Sequence, residues 1–495
     1  AHNRINIYEL HFRDFTSEGT YKAATAKLDY LKEMGINCIH VMPVSEFENN
    51  DSWGYNPSYY FAADKAYGPA NDLKQFIDEA HKRGIAVVND IVLNHAFGSN
   101  SMARLYWDSA ANKPTADNPW FFRDHQAVRS QDGWWGSDWN HTSEHTQKMV
   151  DDILKYWMTE FKFDGFRFDF TKGFSHLGYI GGPGDDWASA YNSDRIGLLR
   201  RMVIKMRTSA ATLSKNPIII FEHLANSSEN AELAGFGVLH WSGVSHHNDM
   251  KEFMLGNNGA GFYNSGAYPT QGFGINANWI SYQESHDEER QGYEVFNYAK
   301  GIGSLTGAAK TELAINRLKL GTAFNLLMPG PRMLWMWEEM GYDVSINENG
   351  RTGKKPTHWE YLEDAKRKEL QRLISTIFQL RDAHEIHKNV DWGNIGATDM
   401  SARRMRLNDD YKHVVIVVGN PSPDYGQSVT PNYLFAGKWY KYNGNPAIDG
   451  EEYTVTNASS DTFYLGPNEV YVLTNFPVSI DRNDIKINPY NGSCE

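Results

Sequence analysis

Two stretches decide the fold: Asp164-Gly165-Phe166-Arg167-Phe168-Asp169-Phe170 and Pro217-Ile218-Ile219-Ile220-Phe221-Glu222. A short continuous apolar run such as 218–221 reads as a strand buried on both faces. A carboxylate that ends such a run escapes the core only by pointing into a cleft. A third acid, Asp287, closes the run Asn278-Trp279-Ile280-Ser281-Tyr282-Gln283-Glu284-Ser285-His286-Asp287. Three acids reached after separate strands, with Arg167 and His286 beside them, predict one convergent site at the strand C-termini of a parallel barrel.

Strand-like and helical runs alternate on both sides of these stretches. Strands are expected at 5–10, 37–42, 85–91, 165–169, 217–222, 237–241, 278–283 and 332–337. Helical patterns cover 21–34, 72–83, 146–161, 194–213 and 361–383, the first two ending at Gly35 and Gly84. About eight such units mark an α/β fold, a (β/α)8 TIM barrel, in preference to an open doubly wound sheet. The segment 96–140, rich in Asn, Ser, Trp and Asp, is too long for a structureless connector and is expected to be an inserted domain after strand 3. Beyond about 388, short β runs (405–407, 413–418, 437–442, 469–473) separated by turn clusters predict a C-terminal all-β sandwich. The expected division is therefore 1–95 with 141–388 for the barrel, 96–140 for the insertion, 389–476 for the sandwich and 477–495 for a tail.

Composition narrows the function. A formal net charge of -13 opposes binding to nucleic acid, whose phosphates call for basic patches. No apolar stretch approaches the length of a membrane span. The two cysteines, Cys38 in an apolar run and Cys494 next to the end, exclude a cysteine framework or a Cys-rich zinc site, and a bridge between them is not expected. No secretory leader is read after Ala1. Aromatic residues make up 14% of the chain, an abundance that suits both a large core and stacking against pyranose faces, so it discriminates neither.

Four segments in order then carry a resemblance: Asp90-Ile91-Val92-Leu93-Asn94-His95 after strand 3, Gly165 to Asp169 at strand 4, Phe221-Glu222 at strand 5 and His286-Asp287 at strand 7. With Trp53-Gly54-Tyr55-Asn56-Pro57, they make the chain resemble the α-amylase family, glycoside hydrolase family 13, over roughly residues 4–475. The resemblance implies Asp169 as nucleophile, Glu222 as general acid/base and Asp287 as the acid that grips sugar hydroxyls and distorts the ring. Retaining cleavage needs the first two about 5–5.5 Å apart. Arg167, on the same strand face as Asp169, is expected to hold it ionised. Glu222 is expected to keep its proton near neutral pH through burial and the charge of Asp169.

By the same resemblance His95 and His286 donate to sugar hydroxyls, Tyr55 stacks beneath the sugar and Lys172 reaches toward the leaving-group side. A structural Ca2+ held by Asn94, Asp138 and the carbonyl of Gly173 is implied. Two departures, Gly173 where the family often has His and Ser285 where it often has Asn, leave bond specificity open. Glu338 and Glu339 are expected to form rim salt bridges without chemistry. The implied activity is retaining hydrolysis of internal α-1,4 bonds in starch- or glycogen-like α-glucans by a secreted or envelope-exposed, monomeric enzyme. The alternatives are a debranching (α-1,6), maltogenic or transglycosylating relative and a non-catalytic glycan-binding one.

Overall fold

The computed structural model describes residues 2–174, 178–257, 261–273 and 278–478. The expected tail beyond 478 and Cys494 lie outside the described residues. Eight parallel strands close a barrel: β1 (Asn6–Leu10), β2 (Cys38–Val41), β3 (Ala86–Ile91), β4 (Gly165–Phe168), β5 (Ile218–Phe221), β6 (Leu239–Trp241), β7 (Trp279–Tyr282) and β8 (Arg332–Trp335). Each strand pairs with its sequence neighbour, and β1 pairs with β8 to close the ring.

The two-residue period of the strands sorts the barrel interior into layers. Ile7, Cys38, Ala86, Val88, Ile220, Leu239, Ile280 and Met333 form an apolar interior cluster. Two residues further along their strands, on the same inward face, come Glu9, His40 and Asp90, and Arg167 follows Gly165 in the same way. All four polar residues are fully buried, and Arg167 lies beside Asp90 and Glu9 beside His40 in the strand registers. The floor of the strand C-terminal face is therefore a charged layer resting on an apolar plug. Gly165 is required by packing, because a Cβ there would lie 1.9 Å from the Ile218 carbonyl oxygen on β5.

Helices cover the outside, among them α1 (Ala70–Lys82), α2 (Glu144–Glu160), α3 (Ser193–Ala211), α4 (Val244–Leu255), α5 (Gly307–Leu327) and α6 (Ala365–Ala383). The helical run expected over 21–34 is two helices, Tyr21–Thr25 and Leu28–Met34, and the one over 361–383 starts at Ala365, where the Asp364 carboxylate caps the first turn. Between β3 and α2 lie two short antiparallel pairs, His95–Ala96 with Ser137–Asp138 and Trp107–Asp108 with Lys113–Pro114. A hairpin of Ser45–Phe47 and Pro57–Ala63 precedes α1. After α6 a six-stranded antiparallel sheet runs β9 (Asn389–Asp391), β10 (Arg403–Asn408), β11 (Val414–Gly419), β12 (Gly437–Tyr442), β13 (Glu451–Val455) and β14 (Val470–Thr474), in the order β9-β10-β11-β14-β12-β13. It faces a two-stranded pair, Gln427–Val429 with Phe463–Leu465, across its own apolar cluster. Arg317 of α5 donates to the Pro421 carbonyl at 2.8 Å, and a Cβ at Gly419 would strike Leu320, so sheet and barrel are closely joined.

Candidate active site

The strand register brings the predicted acids together. Arg167 on β4 pairs with Ile220 on β5, so Asp169 and Glu222, the residues just past these strands, emerge at the same level of the rim. The buried Arg167 guanidinium lies 3.1 Å from Asp90, 3.1 Å from Asp169 and 3.0 Å from Glu222. The first two contacts are aligned hydrogen bonds; the Glu222 contact is an ion pair without that alignment. Phe170, in the left-handed region at φ 41°, turns its N–H onto the Glu222 carboxylate at 2.9 Å. Asn94 donates to the Asp169 carboxylate at 2.8 Å. Both acids are therefore clamped in orientation while still opening to the cleft.

Asp287 belongs to a second chain of contacts. His286 Nε2 lies 3.2 Å from Asp287, and His286 Nδ1 lies 2.7 Å from the fully buried Glu9, which also accepts the His286 backbone N–H. Tyr55 stacks on His286 at 5.0 Å and donates to Asp90 at 2.8 Å. Ser285, the departure from the usual Asn, is built in: its hydroxyl accepts the Asp287 N–H and donates to Glu288. Arg351 reaches over from the loop after β8 to Asp287 at 3.2 Å. Sequence reasoning missed Glu9, His40, Asp90 and Arg351. The first three carry a legible signal, a charged residue inside an apolar strand; Arg351 sits in a polar loop and carries none.

The electrostatics divide the three carboxylates. Burial pushes Glu222 up to about 7, with Asp169 and Asp287 adding to it against the pull of Arg167. Burial also raises Asp169 from its ordinary value, opposed by Arg167 and by the Asn94 amide. The pairing with Arg167 is present, but one guanidinium shared among three carboxylates does not bring Asp169 below its ordinary range. For Asp287, burial is outweighed by the charge and hydrogen bond of His286 and by Arg167 and Arg351, so it stays well below the usual carboxylate range. The result is one acid able to carry a proton near neutral pH beside one held ionised.

Some expected contacts differ. His95 has both ring nitrogens engaged, by the Tyr55 carbonyl at 2.8 Å and Asn94 Oδ1 at 2.5 Å, and His286 likewise serves Glu9 and Asp287. In this arrangement both histidines position neighbours. Lys172 is almost fully buried, with Nζ 3.4 Å from Ser189 and over the Phe170 ring. Glu338 and Glu339 do not pair with cations as expected: Glu339 accepts the hydroxyls of Tyr8 and Tyr30, and Glu338 accepts Gln283 and the Trp335 N–H. Burial pushes Glu339 up to about 7, consistent with hydroxyl rather than cationic partners.

Of the residues expected to offer oxygens to a Ca2+ cage, the two side chains, Asn94 and Asp138, face protein partners. Such a cage takes six to eight oxygens. Asp138 already accepts His125 at 2.9 Å on one oxygen and the N–H groups of Gln126 and Ala127 on the other. Asn94 directs its NH2 to Asp169 and its oxygen to His95. Gly173 packs so tightly that a Cβ would lie 2.6 Å from the Phe170 ring, which explains why no His stands there. Among the described residues, the only three metal-capable side chains that converge are His384, Asp409 and His413, the latter two in the β10–β11 turn of the C-terminal sheet.

Comparison with known proteins follows the same geometry. The family description "Alpha amylase, catalytic domain" matches residues 6–419. Malto-oligosyltrehalose trehalohydrolase of Saccharolobus solfataricus is 35% identical over 167 residues, covering 33% of this chain and 27% of that protein. Isoamylase 1 of Arabidopsis thaliana is 26% identical over 418 residues, covering 69% of this chain and 52% of that protein. The chain thus spans about a quarter to a half of the length of these curated relatives. Among solved structures, the α-amylase of Geobacillus thermoleovorans superposes with a TM-score of 0.70 at 15% identity, covering 96% of this chain and 98% of that one. The pullulanase SAP of Group B Streptococcus gives 0.69 at 18%, covering 96% and 71%. These likenesses show the barrel fold, and the match to the catalytic-domain family shows that this chain belongs to the α-amylase family, glycoside hydrolase family 13.

Proposed function

We propose that the chain is a retaining glycoside hydrolase that cleaves internal α-1,4 bonds of starch- or glycogen-like α-glucans. The observation that carries this is the pair Asp169 and Glu222 on one buried guanidinium, with Glu222 pushed up to about 7. In the first step Asp169 attacks the anomeric carbon and Glu222 protonates the departing glycosidic oxygen. In the second, Glu222, now a carboxylate, removes a proton from water, which displaces Asp169 and restores the starting state. Glu222 is still 15% exposed, so a glucan filling the cleft strips the remaining water and reinforces its hold on the proton. Asp287, ionised and anchored through His286 to Glu9, is placed to accept sugar hydroxyls as the ring flattens.

Replacing Asp169 by Asn is expected to abolish release of reducing ends from amylose while the fold is kept; substantial residual turnover overturns the assignment. A second reading, debranching action on α-1,6 bonds, is favoured by the likeness to isoamylase. Size-resolved products from amylose, pullulan and cyclodextrin separate the two, since an endo-α-1,4 hydrolase shortens amylose and a debranching enzyme leaves it intact. A monomeric enzyme acting outside the cytoplasm or in the cell envelope is part of the same proposal. Fractionation of the source cells and gel filtration test those two points. No helix among the described residues is long and apolar enough to cross a membrane.

A further inference from the structure

Where the last barrel helix meets the C-terminal sheet, two imidazoles lie face to face. His384 immediately follows α6, and His413 ends the turn that joins β10 to β11. Their rings stack at 3.9 Å and 28°, and Phe476, just past β14, stands steeply against both at 4.8 and 4.9 Å. Asp409, at the start of the same turn, completes the group. One of its carboxylate oxygens accepts the His413 backbone N–H at 2.6 Å, and the other lies 2.7 Å from His413 Nδ1. The left-handed residues Asp410 (φ 51°) and Tyr411 (φ 70°) turn the chain back tightly enough to set Asp409 beside His413. His384, Asp409 and His413 each offer one ligand atom, and the three atoms lie within 4.8 Å of one another. All three residues are half-buried, so a small ion can reach them from solvent.

The contact between Asp409 and His413 explains that half of the group but not His384. The His384 ring makes no hydrogen bond among the described residues. Two stacked imidazolium rings would repel, so the stack holds only while at least one ring is neutral and keeps a lone pair. Neutral imidazole is the commonest metal ligand. Two such nitrogens with one carboxylate oxygen suit a Zn2+-type ion, bonded at about 2.0–2.2 Å with water in the fourth position. Ca2+ and Mg2+ seek oxygens and match this donor set poorly. Neighbouring cations are engaged elsewhere, Arg4 with Glu385 at 3.8 Å and Lys388 with Asp410. Because Arg4 lies just before β1, this end of α6 sits at the strand N-termini, on the side of the barrel away from the carboxylates.

We propose that His384, Asp409 and His413 form a Zn2+-type site that ties the end of α6 to the C-terminal sheet. The ion takes the place of the proton between Asp409 and His413, which leaves to solvent, and it gives the His384 nitrogen a partner. The site makes no use of the carboxylate cluster, so it stands or falls apart from the activity proposed above. Untagged full-length protein, freed of metal by chelation and dialysis, is titrated with ZnCl2 by calorimetry at neutral pH. One ion per chain is expected, with a Kd of about 10 µM or tighter. His384→Ala should weaken that affinity at least about tenfold, since even a residue that only orients a ligand is worth about 10- to 100-fold. Zn2+ at roughly 100 times Kd should raise the wild-type Tm by about 3 °C and leave that of the variant unmoved. Without metal, the two proteins should share one circular dichroism spectrum. Should His384→Ala fail to fold, His413→Gln takes its place with the same expectation. Wild-type binding weaker than about 10 µM means an adventitious ion only, and overturns the site. A smaller than tenfold loss in the folded variant places the ion elsewhere and overturns it equally.

Discussion

Replacing Glu9 by Gln isolates the contact chain that anchors Asp287. Glu9 is fully buried on β1 and accepts two bonds from one residue, the His286 ring N–H at 2.7 Å and the His286 backbone N–H at 3.2 Å. A glutamine has the same shape but one acceptor and one NH2 group, so in either orientation a donor faces a donor. It also removes one of the two charges that hold His286 well above its ordinary value against the effect of burial; Asp287 is the other. Truncating one member of a buried charged pair costs about 3–5 kcal/mol. The retained amide hydrogen bond places this variant near the lower figure, about 3 kcal/mol. At about 2.1 cal/mol/K per residue, a chain of this length unfolds with roughly 1 kcal/mol/K, so Tm should fall by about 3 °C. Loss of an orienting partner behind a site residue lowers activity by about 10- to 100-fold, and kcat/KM on amylose should drop within that range.

The pH dependence supplies the sharper check. A histidine whose folded pKa is raised contributes stability that is fully present below its unfolded value, near 6.5, and lost as pH rises through the folded value. Glu9→Gln lowers that folded value, so the stability gap between wild type and variant should be widest at mildly acidic pH and close on the alkaline side. Thermal melts at a series of pH values, with kcat and KM measured in parallel, read both effects. A gap that is independent of pH, together with kcat/KM within twofold of wild type, would refute the role of Glu9.

Three further outcomes are expected. The pH profile of kcat/KM should lose its alkaline limb near pH 7 in Glu222→Gln assayed with an activated aryl glycoside, and the variant should melt higher than wild type at pH 8 but not at pH 5, because the raised carboxylate destabilises the fold only as pH climbs through its range. Lys355→Met should lower kcat/KM at least tenfold and cost about 2–4 kcal/mol, since the buried ammonium donates to the carbonyls of Glu348, Gly350, Arg351 and Gly353 and so shapes the loop that sets Arg351 on Asp287; near-normal melting with near-normal activity would dismiss it. In protein prepared free of Zn2+, strong chelation should leave Tm unchanged, because both Asp138 carboxylate oxygens already have donors; a clear fall in Tm, reversed by Ca2+, would show that this side chain rearranges around the ion.

Strand identity was legible because a buried parallel strand leaves an unbroken apolar run, and the three acids were legible because each ends one. Helix α5 left no comparable pattern: 13 of its 21 residues are buried, so apolar residues surround it and no polar face marks its period. The hairpin of Ser45–Phe47 and Pro57–Ala63 was hidden by irregular pairing, with register shifts on both sides of Glu46. Roles inside the site were harder to read than positions. The sequence places Arg167 two residues before Asp169, but only the barrel's closure shows Asp90 and Glu222 sharing that guanidinium. Likewise nothing in the Gly136-Ser137-Asp138 stretch announces that Asp138 accepts from His125 and two backbone N–H groups.

The inward layer Glu9, His40, Asp90 and Arg167 explains why the acids differ although each ends a similar strand. Arg167 is the one cation among them whose charge is fixed at all pH values, and it is shared by Asp90, Asp169 and Glu222. Asp90, fully buried and held down by Arg167 and His40 despite its desolvation, takes a first share of that charge. What remains is too little to ionise both Asp169 and Glu222 in a site closing on substrate, so one proton stays with the pair. The aligned hydrogen bonds of Arg167 and Asn94 to Asp169, against the misaligned contact to Glu222, direct that proton to Glu222. Asp287 escapes the competition because its own cation, His286, is supplied from the β1 side by Glu9. The division of labour among three carboxylates is thus set one layer below them, by which strand delivers each counter-charge.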